Sequence, residues 1–374
     1  MKKDNSIMVT RPFMPKKAEY KKYIDEIWNN KWLTNKGPLF YKFHSSLQKY
    51  LNVKNISLTV NGHSALDIAI KALGIHGEVI TTPFTFASTT HALVLNGITP
   101  VFCDIKESDL TIDENKIESL ITDKTTAIMP VHVYGHICNI NKIEKIAKKY
   151  NLKVIYDAAH AFGISKNGVS VANCGDASIF SFHATKLFHT IEGGCIIYKN
   201  KELEPLFSAY RNFGIYDEES IPYVGGNSKM NEFQAAMGLT NLKYIDDIIE
   251  KRKRLTLYYR NKLDKIKNIK YFIPEKLNDY DYNYGYLPIL VFGDGMRNYL
   301  YDKLKKYNIF TRKYFYPLIT DFECYRDKFT SCDIPISKRI SEQVLCLPLY
   351  YDLTFKEIRY ICDCIKCVLE DKYD

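Results

Sequence analysis

Residues 57–104 read SLTVNGHSALDIAIKALGIHGEVITTPFTFASTTHALVLNGITPVFCD, and this stretch decides the fold class. Short apolar runs alternate in it with segments whose apolar residues recur at helical spacing. The pattern predicts strands at residues 57–60, 78–82 and 101–104 and helices at residues 64–73 and 87–96. Strands that alternate with helices are typical of βαβ units, in which neighbouring strands run parallel.

The same alternation continues to residue 198. It predicts strands at residues 127–133, 153–157, 177–181 and 194–198, with a helix at residues 140–150. The region therefore predicts an α/β fold whose mainly parallel sheet carries helices on both faces. Such sheets bind ligands at the carboxyl ends of their strands, so polar residues that follow strands are the first candidates for a site.

After residue 244 the pattern changes to long charged helical segments with few strands. It predicts helices at residues 246–264, 296–307 and 354–369, and a strand at residues 286–291. A chain of 374 residues is long for one core and short for three domains. We therefore predict a large domain at residues 1–245 and a smaller α+β domain at residues 246–374.

The net charge of +9 is spread over many amphipathic stretches, and no basic motif stands out. The densest basic run, KRKR at residues 251–254, lies in a predicted helix and is interpreted as a solvated helix face. Nucleic-acid binding is therefore not expected, although a mild positive balance favours approach of an anionic substrate such as a nucleotide diphosphate.

Ten cysteines follow no framework spacing, and the opening residues MKKDNS are not followed by an apolar core typical of a signal peptide. No run of about 18 apolar residues exists, so no membrane span is expected. We predict a reducing cytoplasmic location. Cys362, Cys364 and Cys367 lie in a terminal helical pattern without a second pair or a neighbouring histidine, so we predict core packing and no metal site.

Two polar residues, one at the end of a predicted strand and one shortly after another strand, suggest cofactor chemistry. Asp157 ends the strand KVIYD. An aspartate at this position usually caps the N-terminus of the next helix, but it can also pair with a protonated pyridine nitrogen. Lys186 follows the strand ending at Ser181, and a lone lysine is usually a surface residue. Because apolar residues flank Lys186 on both sides, we expect partial burial and a depressed pKa, which favours the neutral amine that imine chemistry needs.

The turn Asn61-Gly62-His63-Ser64 follows another strand, and its glycine permits close backbone approach to a ligand. The helix that begins there offers N–H groups to a phosphate, although many such turns bind nothing. Phe86 follows a further strand; alone it would be a core residue, but beside a cleft it can stack on a flat ring.

Four ordered motifs carry a resemblance to a known family: residues 61–105 (NGHSALDIA…VFCDI), 130–163 (PVHVYGHIC…YDAAHAFG), 175–194 (GDASIFSFHATKLFHTIEGG) and 225–239 (GGNSKMNEFQAAMGL). Together they resemble the DegT/DnrJ/StrS family of sugar aminotransferases, within the fold type I group of pyridoxal phosphate enzymes. The resemblance extends from WLTNKGP at residue 32 to LCLPLY at residue 345. It implies a seven-stranded-type sheet and the cofactor pyridoxal 5'-phosphate, with pyridoxamine 5'-phosphate between the half-reactions.

The resemblance also implies roles for individual residues. Lys186 matches the lysine that binds the cofactor as a Schiff base and moves a proton, and Asp157 matches the partner of the pyridine nitrogen. His160 stands beside the ring hydroxyl where the family often has glutamine, and Phe86 matches the aromatic residue that stacks on the ring. The predicted phosphate cradle consists of Gly62, His63, Ser64 and Ser181. Asn227 matches an asparagine that reaches the phosphate from the neighbouring subunit, which implies a homodimer with shared active sites.

Two residues depart from the family pattern. His63 replaces the usual threonine, so only its backbone is expected to serve the phosphate, and Leu187 replaces the common asparagine after the lysine. Neither change removes a group that the chemistry requires.

The motif SFHATK favours a particular substrate, because family members that aminate C4 of a 4-keto-6-deoxy sugar commonly read SFHxxK and those that aminate C3 read SFYxxK. His183 therefore favours C4, although it can also merely pack in its loop. Tyr314 and Thr34 are further predicted substrate contacts. We expect transfer of the amino group of L-glutamate to dTDP-4-keto-6-deoxyglucose, giving dTDP-4-amino-4,6-dideoxyglucose for lipopolysaccharide O-antigen synthesis.

Other functions stay open at this point. A C3 aminotransferase and an enzyme for GDP- or UDP-linked 4-keto sugars fit the same motifs. A sugar dehydratase on this fold carries a histidine in place of Lys186, and a non-catalytic regulator would not need the full set of Lys186, Asp157, Phe86 and Ser181.

Overall fold

The computed structural model describes residues 6–274, 280–325, 328 and 332–370. Its strands are β1 (Ile7–Met8), β2 (Ile56–Thr59), β3 (Glu78–Thr81), β4 (Thr99–Phe102), β5 (Thr125–Ile128), β6 (Lys153–Asp157), β7 (Ser165–Lys166), β8 (Val169–Ser170), β9 (Ala177–Ser181), β10 (Gly194–Tyr198), β11 (Ile269–Tyr271), β12 (Tyr280–Asp281), β13 (Pro288–Val291), β14 (Ile309–Phe310) and β15 (Val344–Cys346).

Its helices are α1 (Lys17–Asn30), α2 (Pro38–Leu51), α3 (Gly62–Ala72), α4 (Ala87–Leu95), α5 (Ile140–Tyr150), α6 (Glu204–Arg211), α7 (Glu232–Leu242), α8 (Ile245–Leu263), α9 (Met296–Lys306), α10 (Pro335–Gln343) and α11 (Phe355–Glu370). The predicted α/β alternation is confirmed, with small shifts at the ends of elements.

A seven-stranded sheet in the order β2-β10-β9-β6-β5-β3-β4 forms the centre of the molecule. All pairings are parallel except those of β10, which runs antiparallel to both β2 and β9. The strands are short and almost wholly buried because helices cover both faces, which explains their continuous apolar runs. The carboxyl ends of β2, β6 and β9 therefore meet at one edge of the sheet.

Two predicted strands differ in length from the observed ones: one ends earlier and the other begins later. The strand predicted at residues 127–133 ends at Ile128; Met129 and Pro130 keep single hydrogen bonds to Ile80 and Asp157, and Val131 forms an isolated bridge with Asp157. Proline lacks the N–H that a continuing ladder would need, so the strand ends there. The strand predicted at residues 286–291 begins at Pro288, which leaves Tyr286 in an irregular segment.

The C-terminal part packs a three-stranded antiparallel sheet, β11-β13-β15, against α8, α9 and α11. Strand β1 pairs in parallel with β14, and Ile7 is buried in the same apolar cluster. Ile7 and Met8 thus contact the C-terminal part, although they belong to the large domain in the predicted division at residue 245. That division itself remains a prediction.

The interpretation of KRKR as a fully solvated face is wrong for Arg252. This side chain is buried on the same face of α8 as Leu255 and Tyr259, and its Nη1 donates to the carbonyl of Gly285 at 3.1 Å. Helical spacing of three and seven residues places these positions on one face, so the guanidinium is turned into the interior.

The prediction of core packing for the C-terminal cysteines holds for two of the three. Cys362 and Cys364 are buried on the inner face of α11, whereas Cys367 is exposed because it lies off that face. All ten cysteines are among the described residues, and no disulfide joins any two of them there.

The described residues also contain no helix that is long and apolar enough to cross a membrane and no metal-binding group of three or more His, Cys, Asp or Glu. The predicted absence of a signal peptide rests on the opening residues, of which 1–5 lie outside the described part.

Candidate active site

A cavity of about 400 Å³ opens where the carboxyl ends of β2, β6 and β9 meet. We call it the Lys186 cavity. It brings together most of the residues that the sequence singled out: Gly62, His63, Phe86, Asp157, His160, Ser181, His183, Lys186 and Tyr314. The structure therefore assembles, from segments up to 252 residues apart (62 to 314), a cavity with an amine, a carboxylate and an accessible aromatic ring.

Lys186 presents its amine to the interior of this cavity. Its Nζ donates a hydrogen bond to the hydroxyl of Tyr286 at 3.1 Å. Burial lowers the pKa of Lys186 to about 8, against the opposing effect of the Asp157 carboxylate. The predicted depressed pKa is thus borne out, and a useful fraction of the amine is neutral and nucleophilic near neutral pH.

Asp157 lies at the end of β6 with its carboxylate buried. Thr89 Oγ1 donates to Oδ2 at 2.7 Å and the N–H of Ala159 donates to Oδ1 at 3.1 Å. Burial raises the pKa of Asp157, while these two bonds and the charge of Lys186 oppose the rise. The carboxylate is held by neutral donors, so a cationic N–H in the cavity would be a favourable further partner.

His160 acts as a neutral hydrogen-bond donor towards the cavity. Its Nδ1 accepts from the N–H of Tyr134 at 3.0 Å, which assigns the ring proton to Nε2. Burial, with the charge of Lys186, lowers the pKa of His160 well below its usual value. A neutral imidazole with an N–H donor suits a position beside a phenolic oxygen.

The N-terminus of α3 and Ser181 form one wall of the cavity. A Cβ atom at position 62 would lie 2.8 Å from the Cβ of Ser181, so glycine is required for this close approach. Phe86, the residue before α4, also lines the cavity and exposes 61% of its surface. An exposed aromatic ring can stack on a flat ring, and a helix N-terminus can bind an anionic substituent, so the cavity offers a partner for each.

Two members of the predicted cradle differ from expectation. Ser64 does not line the cavity, and its N–H already donates to Oδ1 of Asn61, which caps α3, at 2.8 Å. His63 does line the cavity, and its Nδ1 is bonded to the hydroxyl of Ser88 at 2.8 Å. The side chain of His63 is therefore ordered and faces the cavity, although only its backbone was expected to contribute.

His183 lies at the mouth of the cavity in a defined orientation. Its Nδ1 accepts from the N–H of Thr185 at 3.2 Å, so its proton lies on Nε2, which is 3.4 Å from Oε1 of Glu192. Glu192 belongs to the tight turn before β10, where its carbonyl accepts from Gln234 Nε2 at 2.5 Å. The pair can present an N–H and a carboxylate to a polar substrate.

Thr34 and Asn227 do not reach the Lys186 cavity. They line a separate pocket of about 570 Å³ beside the end of β2, which we call the Asn227 pocket. Lys229 Nζ donates to Oδ1 of Asn227 at 2.7 Å and to Oδ1 of Asn212 at 2.8 Å. Because an ammonium only donates, both amides must turn their oxygens to Lys229 and their NH₂ groups elsewhere.

Comparison with known proteins identifies the family. The model of the DegT/DnrJ/EryC1/StrS aminotransferase family matches residues 15–366. The chain belongs to this family. It is an aminotransferase, and the predictions of family and fold class are confirmed.

Relatives of this aminotransferase include the dTDP-4-amino-4,6-dideoxy-D-glucose transaminase of Shigella dysenteriae, which is 45% identical over 97% of this chain and 99% of its own. Among solved structures, DesI in the presence of its TDP-sugar product is 30% identical, with a TM-score of 0.93 over 99% of this chain and 95% of that one. NtdA from Bacillus subtilis, solved with bound pyridoxamine phosphate, is 27% identical, with a TM-score of 0.87 over 98% and 87% of the two chains.

Two residues that line the aminotransferase cavity, Tyr286 and Glu192, were missed from the sequence, and so was the buried Thr89, which does not line the cavity but donates to Asp157. Tyr286 is 100 positions from Lys186 and stands in a tyrosine-rich segment without a distinguishing signal. Thr89 lies three residues after Phe86, on α4. A buried carboxylate needs hydrogen-bond donors, so a hydroxyl close to Phe86 in the sequence could have been predicted as a partner of Asp157.

Proposed function

We propose that this enzyme transfers the amino group of L-glutamate to the C4 keto group of dTDP-4-keto-6-deoxyglucose, with pyridoxal phosphate as its cofactor. The observation that carries the proposal is the assembly of Lys186, Asp157 and Phe86 in one cavity of a chain 45% identical to a dTDP-4-amino-4,6-dideoxy-D-glucose transaminase. A C3 keto sugar and GDP- or UDP-linked 4-keto sugars are the competing substrates.

The residues of the cavity fit the cofactor by the chemistry of their donors. Lys186 would hold it covalently, Asp157 would face the ring nitrogen, His160 the ring hydroxyl and Phe86 the ring face. Gly62, Ser181 and the backbone of His63 would hold the phosphate at the N-terminus of α3. When bound, pyridoxal phosphate acts as an electron sink that stabilises negative charge on the neighbouring carbon.

Lys186 is also placed to carry a proton during the reaction. Its free amine lies beside the hydroxyl of Tyr286, and its pKa of about 8 would suit it to accept a proton from carbon and return it. Tyr286 restrains the side chain of Lys186, and its own pKa is raised by burial, so it stays protonated. The burial of Asp157 and His160 limits access of water to this part of the cavity.

The substrate would enter past His183 and Glu192. Their N–H and carboxylate can bind sugar hydroxyl or carbonyl oxygens, and Tyr314 lines the cavity nearby. The histidine of the SFHATK motif thus lies where it can contact the substrate, which supports amination at C4. Selectivity between sugars depends on such polar contacts more than on cavity size.

The test is a substrate panel. Purified enzyme is incubated with glutamate and dTDP-, UDP- and GDP-linked 3-keto and 4-keto sugars, and the amino sugar is identified by NMR. We expect the dTDP-linked 4-keto sugar to give the highest kcat/KM and the product to be aminated at C4. Preferred conversion of a 3-keto sugar or of another nucleotide would reject the substrate assignment, and no conversion with any sugar would favour the non-catalytic alternative.

We propose further that two chains form a homodimer with shared active sites. Three large exposed apolar side chains lie at or next to the Asn227 pocket: Leu33 lines it, Trp32 precedes Leu33 in the chain, and the ring centre of Phe213 is 4.7 Å from Nζ of Lys229. Exposed apolar side chains grouped beside a pocket are typical of a protein interface. The outward NH₂ group of Asn227 would then donate to the phosphate in the neighbouring subunit.

Subunit complementation tests this arrangement. Asn227→Asp places a carboxylate against the neighbour's phosphate, and we expect it to bind pyridoxal phosphate about 10-fold or more weakly. In a mixed dimer with Lys186→Ala chains, each intact Lys186 receives an intact Asn227 from its partner. We expect co-refolded mixtures to recover up to about a quarter of wild-type activity, because half of the dimers are mixed and carry one complete site. Recovery no greater than the sum of the separate variants would show that the sites are not shared.

The cytoplasmic location and the link to lipopolysaccharide O-antigen synthesis remain predictions from the sequence.

A further inference from the structure

One irregular segment, residues 283–286, supplies the hydrogen-bond partner of Lys186. Tyr286 ends this segment. Its hydroxyl accepts from Nζ of Lys186 at 3.1 Å, and its ring centre lies 4.4 Å from that of His160. The position of this hydroxyl depends on how the backbone of the segment is held, because no strand or helix contains these residues.

The backbone of the segment is strained at Tyr284. This buried residue has a φ of 53°, in the left-handed region that bulky side chains rarely adopt. Such a conformation costs free energy and persists only where surrounding contacts hold it, and it is found most often at functional sites. The segment therefore needs restraints on both sides of Tyr284.

Asn283 is the restraint before Tyr284. It exposes 1% of its surface, and its Nδ2 donates to the carbonyls of His160 and Phe162, each at 2.9 Å. Its Oδ1 accepts from the N–H of Gly285 at 3.0 Å, which closes the turn across Tyr284. The side chain thus ties the segment to the backbone of the loop that carries His160.

Arg252 is the restraint after Tyr284. It reaches the segment from α8, where its side chain is buried, and its Nη1 donates to the carbonyl of Gly285 at 3.1 Å. That carbonyl belongs to the peptide unit that leads into Tyr286. A hydrogen bond there limits rotation of the peptide and therefore limits movement of the Tyr286 side chain.

Stability does not explain an arginine at this position. None of the ion pairs within 4 Å in the described part of the chain includes Arg252, and its buried Nε has no hydrogen-bond partner there. Burial lowers the pKa of Arg252 to about 10. A buried cation without a counter-charge costs more than an apolar side chain in the same space.

We propose that Arg252 is a positioning residue for Lys186: it holds the carbonyl of Gly285 and thereby keeps the hydroxyl of Tyr286 at Nζ. The inference rests on the proposed function, in which Lys186 binds pyridoxal phosphate. Arg252 does not line the Lys186 cavity, so it acts through Tyr286, which does. An amine held in one place reacts faster than one that samples several positions.

Capture of pyridoxal phosphate by the cofactor-free, full-length chain tests the role of Arg252. The neutral amine of Lys186 condenses with the aldehyde and releases water, and stopped-flow absorbance follows the reaction over a range of cofactor concentrations. Wild type is compared with Arg252→Met, which keeps an apolar stem and removes the guanidinium. Arg254→Met is the matched control, because Arg254 is exposed on the same helix and lies 4.0 Å from Glu250.

We expect the limiting rate of attachment to fall about 10-fold in Arg252→Met, because a displaced amine meets the aldehyde less often in a reactive position. The cofactor concentration that gives half of this rate should stay unchanged, since the proposed phosphate contacts at Gly62 and Ser181 are distant in the chain from α8 and are not altered. Arg254→Met should match wild type in both. An unchanged limiting rate in Arg252→Met overturns the proposal.

A double-mutant cycle with Tyr286→Phe distinguishes positioning from a general loosening of the fold. Phenylalanine removes the hydroxyl through which Arg252 acts. In the Tyr286→Phe background, Arg252→Met should therefore lower the rate by less than about 2-fold. A 10-fold loss in both backgrounds, with a lowered Tm, would show that Arg252 is merely structural and would overturn the proposal.

The same measurements separate this inference from the proposed function, because attachment involves neither glutamate nor a sugar. Equal attachment rates in wild type and Arg252→Met would overturn the inference alone. A wild-type chain that did not attach the cofactor would overturn the proposed function together with the inference. Normal attachment with no conversion of any keto sugar would count against the proposed function only.

Discussion

Replacement of Lys186 by alanine is expected to lower turnover by about 10⁴-fold or more and to abolish the visible absorbance of covalently bound pyridoxal phosphate. The variant loses both the covalent attachment and the amine that carries the proton, and no other lysine lines the cavity among the described residues. Turnover is measured with glutamate and the keto sugar that gives the highest kcat/KM in the substrate panel. The absorbance is recorded after dialysis against buffer that contains the cofactor.

Lys153→Ala is the matched control, because Lys153 is exposed at the other end of β6 and faces Asp176 at 3.5 Å. We expect it to keep both the absorbance and the turnover of wild type. A Lys186→Ala enzyme that retained more than about a hundredth of wild-type turnover would contradict the assigned role of the amine.

Asp157→Asn is expected to slow the glutamate half-reaction about 10²–10³-fold. Asparagine has the shape of aspartate and can still accept from the N–H of Ala159, but it cannot offer a negative charge to a protonated ring nitrogen. The rate is measured by stopped-flow absorbance at saturating glutamate.

Stability distinguishes a chemical effect from a folding defect. Asparagine removes a buried charge, although Thr89 must then reverse its hydroxyl to accept from the new amide. We therefore expect a Tm close to that of wild type. Thr89→Val is the second comparison, because it keeps the carboxylate and removes one neutral donor, so its rate should fall far less than that of Asp157→Asn. A wild-type rate in Asp157→Asn would show that the carboxylate does not face the ring nitrogen.

The arrangement of the central sheet was predictable because its signals are local. Apolar runs of four or five residues between amphipathic helices specify buried parallel strands, and the carboxyl ends of such strands must meet at one edge. Asp157, Ser181 and Gly62 follow three of these strands, so their convergence was expected from the order of elements alone. The family motifs then added Lys186 and Phe86.

Contacts between distant segments were not predictable in the same way. Nothing in the sequence around Tyr286 indicates that its hydroxyl meets Lys186, and nothing in KRKR separates the buried Arg252 from its exposed neighbours. The placement of Thr34 and Asn227 outside the Lys186 cavity, beside Lys36 and Arg211, likewise depends on how α2, α6 and the segment before α7 pack against β2.

The sequence by itself therefore determined the type of fold, the identity of the central amine and carboxylate, and the edge of the sheet where they lie. Periodicity and strand ends are properties of a few consecutive residues, and they act whatever the rest of the chain does. The tertiary structure alone decided the partners of Lys186, the donors around Asp157 and the grouping of Lys36, Arg211 and Lys229 near Asn227. These depend on packing between segments that are far apart in the chain, for which local pattern carries no information.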